Sequence, residues 1–194
     1  MTPVAPVRRI SVAAALIAVG VALGFLLAGV PNVEAISAVS FFAGYQLGAG
    51  GGVLVGALAI GIFSMLNPLG PPLPHVLAAQ IVGMGIIGAA GHLWALLAIR
   101  PHGARSSLIH VRKPFEIKIR PAEALAAALG ALLTLLYSVL VDYGFAVSIG
   151  RWKDPVPVIA VGLPFSAIHV ISNGLIFAGL GAFLVRRRNR MAGE

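Results

Sequence analysis

Residues 33–66 read VEAISAVSFFAGYQLGAGGGVLVGALAIGIFSML. The run is apolar almost throughout, and it is too long for one bilayer crossing of roughly 20 residues. Its middle, LGAGGG at 47–52, is rich in glycine, the residue that most weakens a helix interior after proline. The stretch therefore reads as two helices, near 34–48 and 51–67, turning back at the glycines. The alternative is one long tilted helix with a re-entrant piece. The choice fixes whether the chain crosses an even or an odd number of times, and so on which sides its ends lie.

The rest of the chain says what kind of crossing is meant. Of its 194 residues, 59% are hydrophobic and only 10% charged, where a soluble domain averages about 25% charged. The mean hydropathy is +0.98. These values describe an integral membrane protein of the all-α class. Its 24 glycines and 13 prolines fit membrane helices, where small residues permit close approach. There is no cysteine, which excludes disulfides, thiolate catalysis and cysteine-ligated metals.

Working outward from residues 33–66, a first apolar segment spans about 10–30. It is longer than a signal-peptide core of about 7–15 residues and reads as a transmembrane helix. NPLGPPLP at 67–74 ends the third helix, because its prolines cannot continue one. Further segments lie near 75–99, 122–146 and 163–185, with a basic segment at 100–121 between the first two of these. The expectation is a single membrane domain, 1–194, of six transmembrane helices.

Charge supports six. The formal net charge is +8, and the basic residues sit in blocks between apolar runs, as orientation signals do. With both termini cytoplasmic, every lysine and arginine except Arg151 and Lys153 falls on the cytoplasmic side. Five spans would set the two largest basic blocks on opposite sides. The same layout argues against nucleic acid as a partner.

On this topology, polar side chains gather in the outer half. Asn32 and Glu34 follow the first segment, and Ser37 and Ser40 lie a turn or two further on. Ser64 and Asn67 end the third segment, Gln80 lies near the start of the fourth, and Tyr137, Ser138, Asp142 and Tyr143 end the fifth. In PFSAIHVISNGLIFAG (164–179), His169 and Asn173 are four residues apart and share one helix face. Polar groups in lipid are costly and by default face a protein interior or a watery cavity. The expectation is a polar pocket open to the outside, with His169 and Asn173 as floor or wall. The structural readings stand beside it. The serines can bond back to their own helices, Asn67 can cap a turn, Asp142 can pair with Arg151 or Lys153, and Glu34 can cap the second helix.

The first segment carries no strongly polar side chain after Ser11. It has Ala14, Ala18 and Ala22 at four-residue spacing, with Gly20 and Gly24 as a second row. Such rows allow close helix contact, either inside the bundle or against another membrane subunit. No glycine-rich loop with a following lysine and no His-Glu-x-x-His pattern occurs, so neither ATP hydrolysis nor a zinc hydrolase is expected of this chain. No metal site and no cofactor are expected.

Four features together resemble the S component of energy-coupling factor (ECF) transporters, the membrane subunit that captures vitamins and other micronutrients. They are the alanine row, the stretch PNVEAISAVSFFAGYQLGAGGGVLVGALAIGIFSMLNPLGP, and the later AAQIVGMGIIGAAG and IHVISNGLIFAGLGAFLVRR. The resemblance implies a noncovalent small-molecule site opening outward and no catalysed reaction. It implies a transmembrane coupling subunit contacting Ala14, Ala18 and Ala22, two cytoplasmic ATPases as partners, and a place in the plasma membrane. Carried over by position, the ligand contacts are Asn32, Glu34, Asn67, Gln80, Asp142, His169 and Asn173. The rival readings are an assembly subunit of a membrane complex and a small proton-coupled carrier.

Overall fold

The computed structural model describes residues 6–98 and 121–192. The described residues form six helices: α1 (Pro6–Leu27), α2 (Ile36–Leu47), α3 (Ala49–Met65), α4 (Pro74–Ala98), α5 (Pro121–Ser148) and α6 (Val156–Ala192). The basic segment 100–121 lies, but for Pro121, outside the described residues.

The long apolar run does divide, and it does so at one residue. Gly48 alone separates α2 from α3, with φ 86°, and its N–H bonds the Gly44 carbonyl at 3.0 Å. This left-handed conformation is open to glycine without steric cost. Residues equidistant from Gly48 face each other. A Cβ placed on Gly52 would lie 2.6 Å from the Gly44 Cα, and one on Gly56 would lie 3.1 Å from the Ser40 hydroxyl. α2 and α3 are thus an antiparallel hairpin, and the single-helix alternative falls.

α4 lies against both arms of that hairpin, backbone to backbone. A Cβ on Gly56 would stand 2.6 Å from the Met84 carbonyl, and one on Gly88 or Gly91 would collide with the carbonyl of Gly52 or Phe41. α5 packs on α4, where Gly144 meets the His75 carbonyl, and α6 packs on α5, where Gly130 and Gly181 meet Phe177 and Ala126. Phe41 joins α2 to α6 through Phe177, ring centroids 5.1 Å apart. α1 closes the other side, with Gly20 on Ala59 and Gly24 on Phe63.

These pairings make successive helices run in opposite directions. Both described chain ends lie at the end of the bundle that holds Gly48. There Arg9 donates to the Leu47 carbonyl at 2.6 Å. With its amide turned so that the oxygen faces α6, Gln46 accepts from Arg187 at 3.2 Å. Cations at a helix C-terminus are favourably placed against its carbonyls.

Four helices are long and apolar enough to cross a membrane: Pro6–Leu27, Pro74–Leu97, Ala122–Ser148 and Val156–Arg187. Large apolar side chains cover their outer surfaces, with Leu175 72% exposed, a pattern water would not tolerate over so wide an area. The protein is membrane-embedded. α2, with 12 residues, is about 18 Å long, and α3, with 17, about 25 Å, both less than the roughly 30 Å of hydrocarbon. Because the hairpin returns the chain to the side it left, the sidedness of the ends does not depend on how deep it reaches.

One boundary differs markedly from expectation. α6 begins at Val156, not near 163, and contains Pro164. Pro157 falls in its first turn, where a missing N–H costs nothing. Pro164 frees one carbonyl a turn earlier, which membrane helices tolerate when neighbours re-satisfy it.

Candidate functional site

The site is built where the connection 28–35 meets α6, in the half of the bundle away from the chain ends. The connection folds through turns, with Val30 N–H on the Leu27 carbonyl at 2.8 Å. Asn32 takes φ 58°, a left-handed conformation that asparagine accepts more readily than most residues. Its carbonyl accepts from the Ser172 hydroxyl at 2.9 Å. This anchors the connection on α6 and carries Glu34 across it.

Glu34 then has three partners. Its Oε2 accepts the backbone N–H of Ser37 at 3.1 Å, capping the first turn of α2. Its Oε1 accepts from Asn173 Nδ2 at 3.3 Å and lies 3.5 Å from His169 Nε2. Asn173 Oδ1 in turn accepts from the Ser37 hydroxyl at 3.2 Å. From α5, the Tyr137 ring stands edge-on to the His169 imidazole, centroids 5.8 Å apart and planes at 86°. Burial pushes the Glu34 carboxyl up, but His169 and the hydrogen bonds from Ser37 outweigh it, and the group is held below the ordinary carboxylate value.

The cluster is largely closed, with Glu34 as its most exposed member at 21% of its side-chain surface. Asn173 is 0% exposed and His169 9%. His169 Nε2 is buried without a hydrogen-bond partner of its own. The expected open pocket with these two side chains as its floor is not what the structure holds. Their partner is Glu34, which comes down from the α1–α2 connection and fills the place where open space was expected. The arrangement offers a carboxylate, an amide and an imidazole nitrogen at one point, a set able to bind a ligand carrying hydrogen-bond donors and a polar ring edge.

Of the other expected contacts, Asn32 joins the site through its backbone. Asn67 does not; its Oδ1 accepts from Leu69 N–H at 2.9 Å and closes its own exposed turn. Gln80 accepts from the Ser64 hydroxyl at 2.9 Å and ties α3 to α4. Asp142 lies higher on α5, beside Gly162 of α6, where a Cβ on that glycine would collide with its carboxylate. It lines a separate cleft of about 420 Å³ between α5 and α6, together with Phe145, Arg151, Val158, Gly162 and Phe165. Neither Ser172 nor Arg9 stood out in the sequence. Ser172 is one of many serines, and Arg9 reads as an orientation signal.

The two small-residue rows of α1 part company. Gly20 and Gly24 are buried against the bundle, whereas Ala14, Ala18 and Ala22 are all exposed. Internal packing is therefore not what the alanine row serves. At its lower end, Ala14 joins Arg9, Ala13, Ile17, Leu47 and Leu54 around a shallow groove of about 290 Å³. Among the described residues, no three His, Cys, Asp or Glu side chains come together as a metal site would need.

Comparison with known proteins returns no matching family model, no matching curated protein and no matching solved structure.

Proposed function

We propose that this chain is the substrate-binding subunit of an ATP-driven micronutrient importer of the ECF type. It sits in the plasma membrane with both chain ends cytoplasmic, and captures a small water-soluble ligand from outside. The observation that carries the reading is the cluster of Glu34, Asn173 and His169. A carboxylate, an amide and a buried imidazole nitrogen that lies 3.5 Å from that carboxylate without a hydrogen bond of its own are concentrated at one point of a largely apolar bundle. Such groups inside a membrane are costly and mark binding or transport sites by default.

In this reading the ligand replaces bonds the protein makes to itself. Donors on the ligand take over the Glu34 oxygens from Asn173, and a polar ring atom meets His169 Nε2. The connection 28–35, held on α6 through Asn32 and Glu34, is the piece that lifts to admit it. The exposed face of Ala14, Ala18 and Ala22 is the surface for a transmembrane coupling subunit, behind which stand two cytoplasmic ATPases. Binding is noncovalent, and this chain catalyses no reaction.

Mass spectrometry of the small molecule retained by gently purified protein tests the capture reading, with Asn173→Ala and His169→Ala as variants. Losing one hydrogen bond to the ligand costs about 1–3 kcal/mol, so affinity should fall roughly five- to a hundredfold. No retained molecule, together with uptake indifferent to both variants, would sink the proposal. Transport by the purified chain alone would instead favour a proton-coupled carrier working through the Glu34–His169 contact.

A further inference from the structure

The α5–α6 cleft carries two opposite charges that do not meet. Asp142 comes from α5 and Arg151 from the α5–α6 turn, and both line the same space. No ion pair joins them to each other. The nearby Lys153 is turned over the Trp152 ring, 4.9 Å from its centroid. Asp142 is half-buried, with no hydrogen-bond partner among the described residues. Apolar groups, Phe145 and Val158 among them, make up the rest of the lining. A carboxylate and a guanidinium held apart on an apolar cleft are the electrostatic imprint of a ligand with an ammonium and an acidic group on an apolar body. The cleft volume of about 420 Å³ falls within the usual range of small-molecule sites, about 300–1,000 Å³.

Its position ties it to the buried cluster. Gly162, whose missing side chain makes room for the Asp142 carboxylate, precedes His169 by two helical turns. The two residues therefore share one face of α6, about 10 Å apart along the axis. A molecule in the cleft sits on the same α5–α6 seam as the cluster, toward the end of the bundle away from the chain termini.

We infer that the Asp142–Arg151 cleft is the antechamber of the capture site, and that the ligand class is a small zwitterion with an apolar body. The ammonium rests on Asp142 and the acidic group on Arg151. The role as antechamber rests on the capture reading; the zwitterion site itself does not.

The test is calorimetry on the purified full chain in phosphatidylcholine nanodiscs, with empty nanodiscs as the blank. The probes are phenylalanine and 6-aminohexanoate, which place the two charges at short and long separation. Each is compared with its one-charge counterparts: phenethylammonium and 3-phenylpropionate, hexylammonium and hexanoate. At least one zwitterion should bind more tightly than both of its counterparts. Asp142→Asn and Arg151→Gln should each lower its affinity about ten- to a hundredfold. Each variant should bring the zwitterion down to the level of the counterpart that lacks the same contact. If neither zwitterion outbinds its counterparts, or if the preference survives both substitutions, the inference is wrong. Asp142-dependent zwitterion binding by a chain that retains no ligand on purification, and whose uptake is indifferent to Asn173→Ala and His169→Ala, would remove the capture reading and leave the zwitterion site standing.

Discussion

Gly88→Ala and Gly85→Ala differ by three positions on one helix, and the structure gives them opposite signs. Alanine is favoured over glycine in a helix interior by about 1 kcal/mol, so each variant gains that much wherever the new methyl group fits. At Gly85 it fits; the nearest atom is Val53 Cγ1 at 3.5 Å, an ordinary contact. At Gly88 it collides with the Gly52 carbonyl and lies 2.9 Å from the Val53 nitrogen. Those atoms are backbone, so no side-chain rotation relieves the clash, and α4 must move off the hairpin. Overpacking of this kind costs about 1–3 kcal/mol, and with backbone as the obstacle the upper end applies. The net expectation is a loss of about 2 kcal/mol for Gly88→Ala and a gain of up to about 1 for Gly85→Ala. By the scaling of soluble domains of this size, a gap of about 3 kcal/mol is roughly 6–12 °C in apparent Tm. Thermal unfolding in detergent can be followed by the fluorescence of Trp94, which is buried against Phe41. Equal melting of the two variants, or a more stable Gly88→Ala, would refute the backbone-to-backbone packing of α3 and α4.

Glu34 gives a pH prediction. Its folded pKa lies below the ordinary value of 4.5, so its contribution is fully present above pH 4.5 and is lost as pH falls through the lower folded value. Wild type should therefore lose stability on acidification below pH 4.5 more steeply than Glu34→Gln; parallel curves would show that the carboxylate is not held by its partners. Cysteines introduced singly at Leu69 and Lys153 should react with an impermeant thiol reagent on intact cells, and one at Ser106 should not; the reverse pattern would invert the proposed orientation. Ala18→Leu should leave folding and ligand binding intact, because Ala18 is exposed, while abolishing copurification with a coupling subunit and cellular uptake. Undiminished uptake in that variant would remove the docking role of the alanine row.

What the sequence disclosed depended on how local the physics was. The hairpin was legible because its cause, a glycine cluster within an apolar run, lies in consecutive residues. The start of α6 was not, because the proline-containing stretch 148–158 read as a loop, whereas Pro157 falls in a first helical turn and the helix runs on through Pro164. Pairing of His169 with Asn173 on one face followed from helical spacing. Their shared partner Glu34 did not, since Glu34 and Asn173 are 139 positions apart and only the tertiary fold joins them. Asn67 and Gln80 looked equally polar in the sequence, but partners on their own turn and on α3 satisfy them. The two rows of α1 differ by one methyl group, and the row with less bulk lies inside.

The tip of the hairpin has a consequence for how the chain is made. α2 is too short to hold a place across a bilayer alone, and only Gly48 separates it from α3. The two must therefore enter the membrane as a pair. When they arrive, Arg9 has already been synthesised and can engage the Leu47 carbonyl. Arg187, which serves Gln46 at the same tip, comes only with α6. The first and last of the described helices thus fasten the same turn from two sides. Until α6 is made one fastening stays open, so the turn is held from both sides only after α6 has joined the bundle.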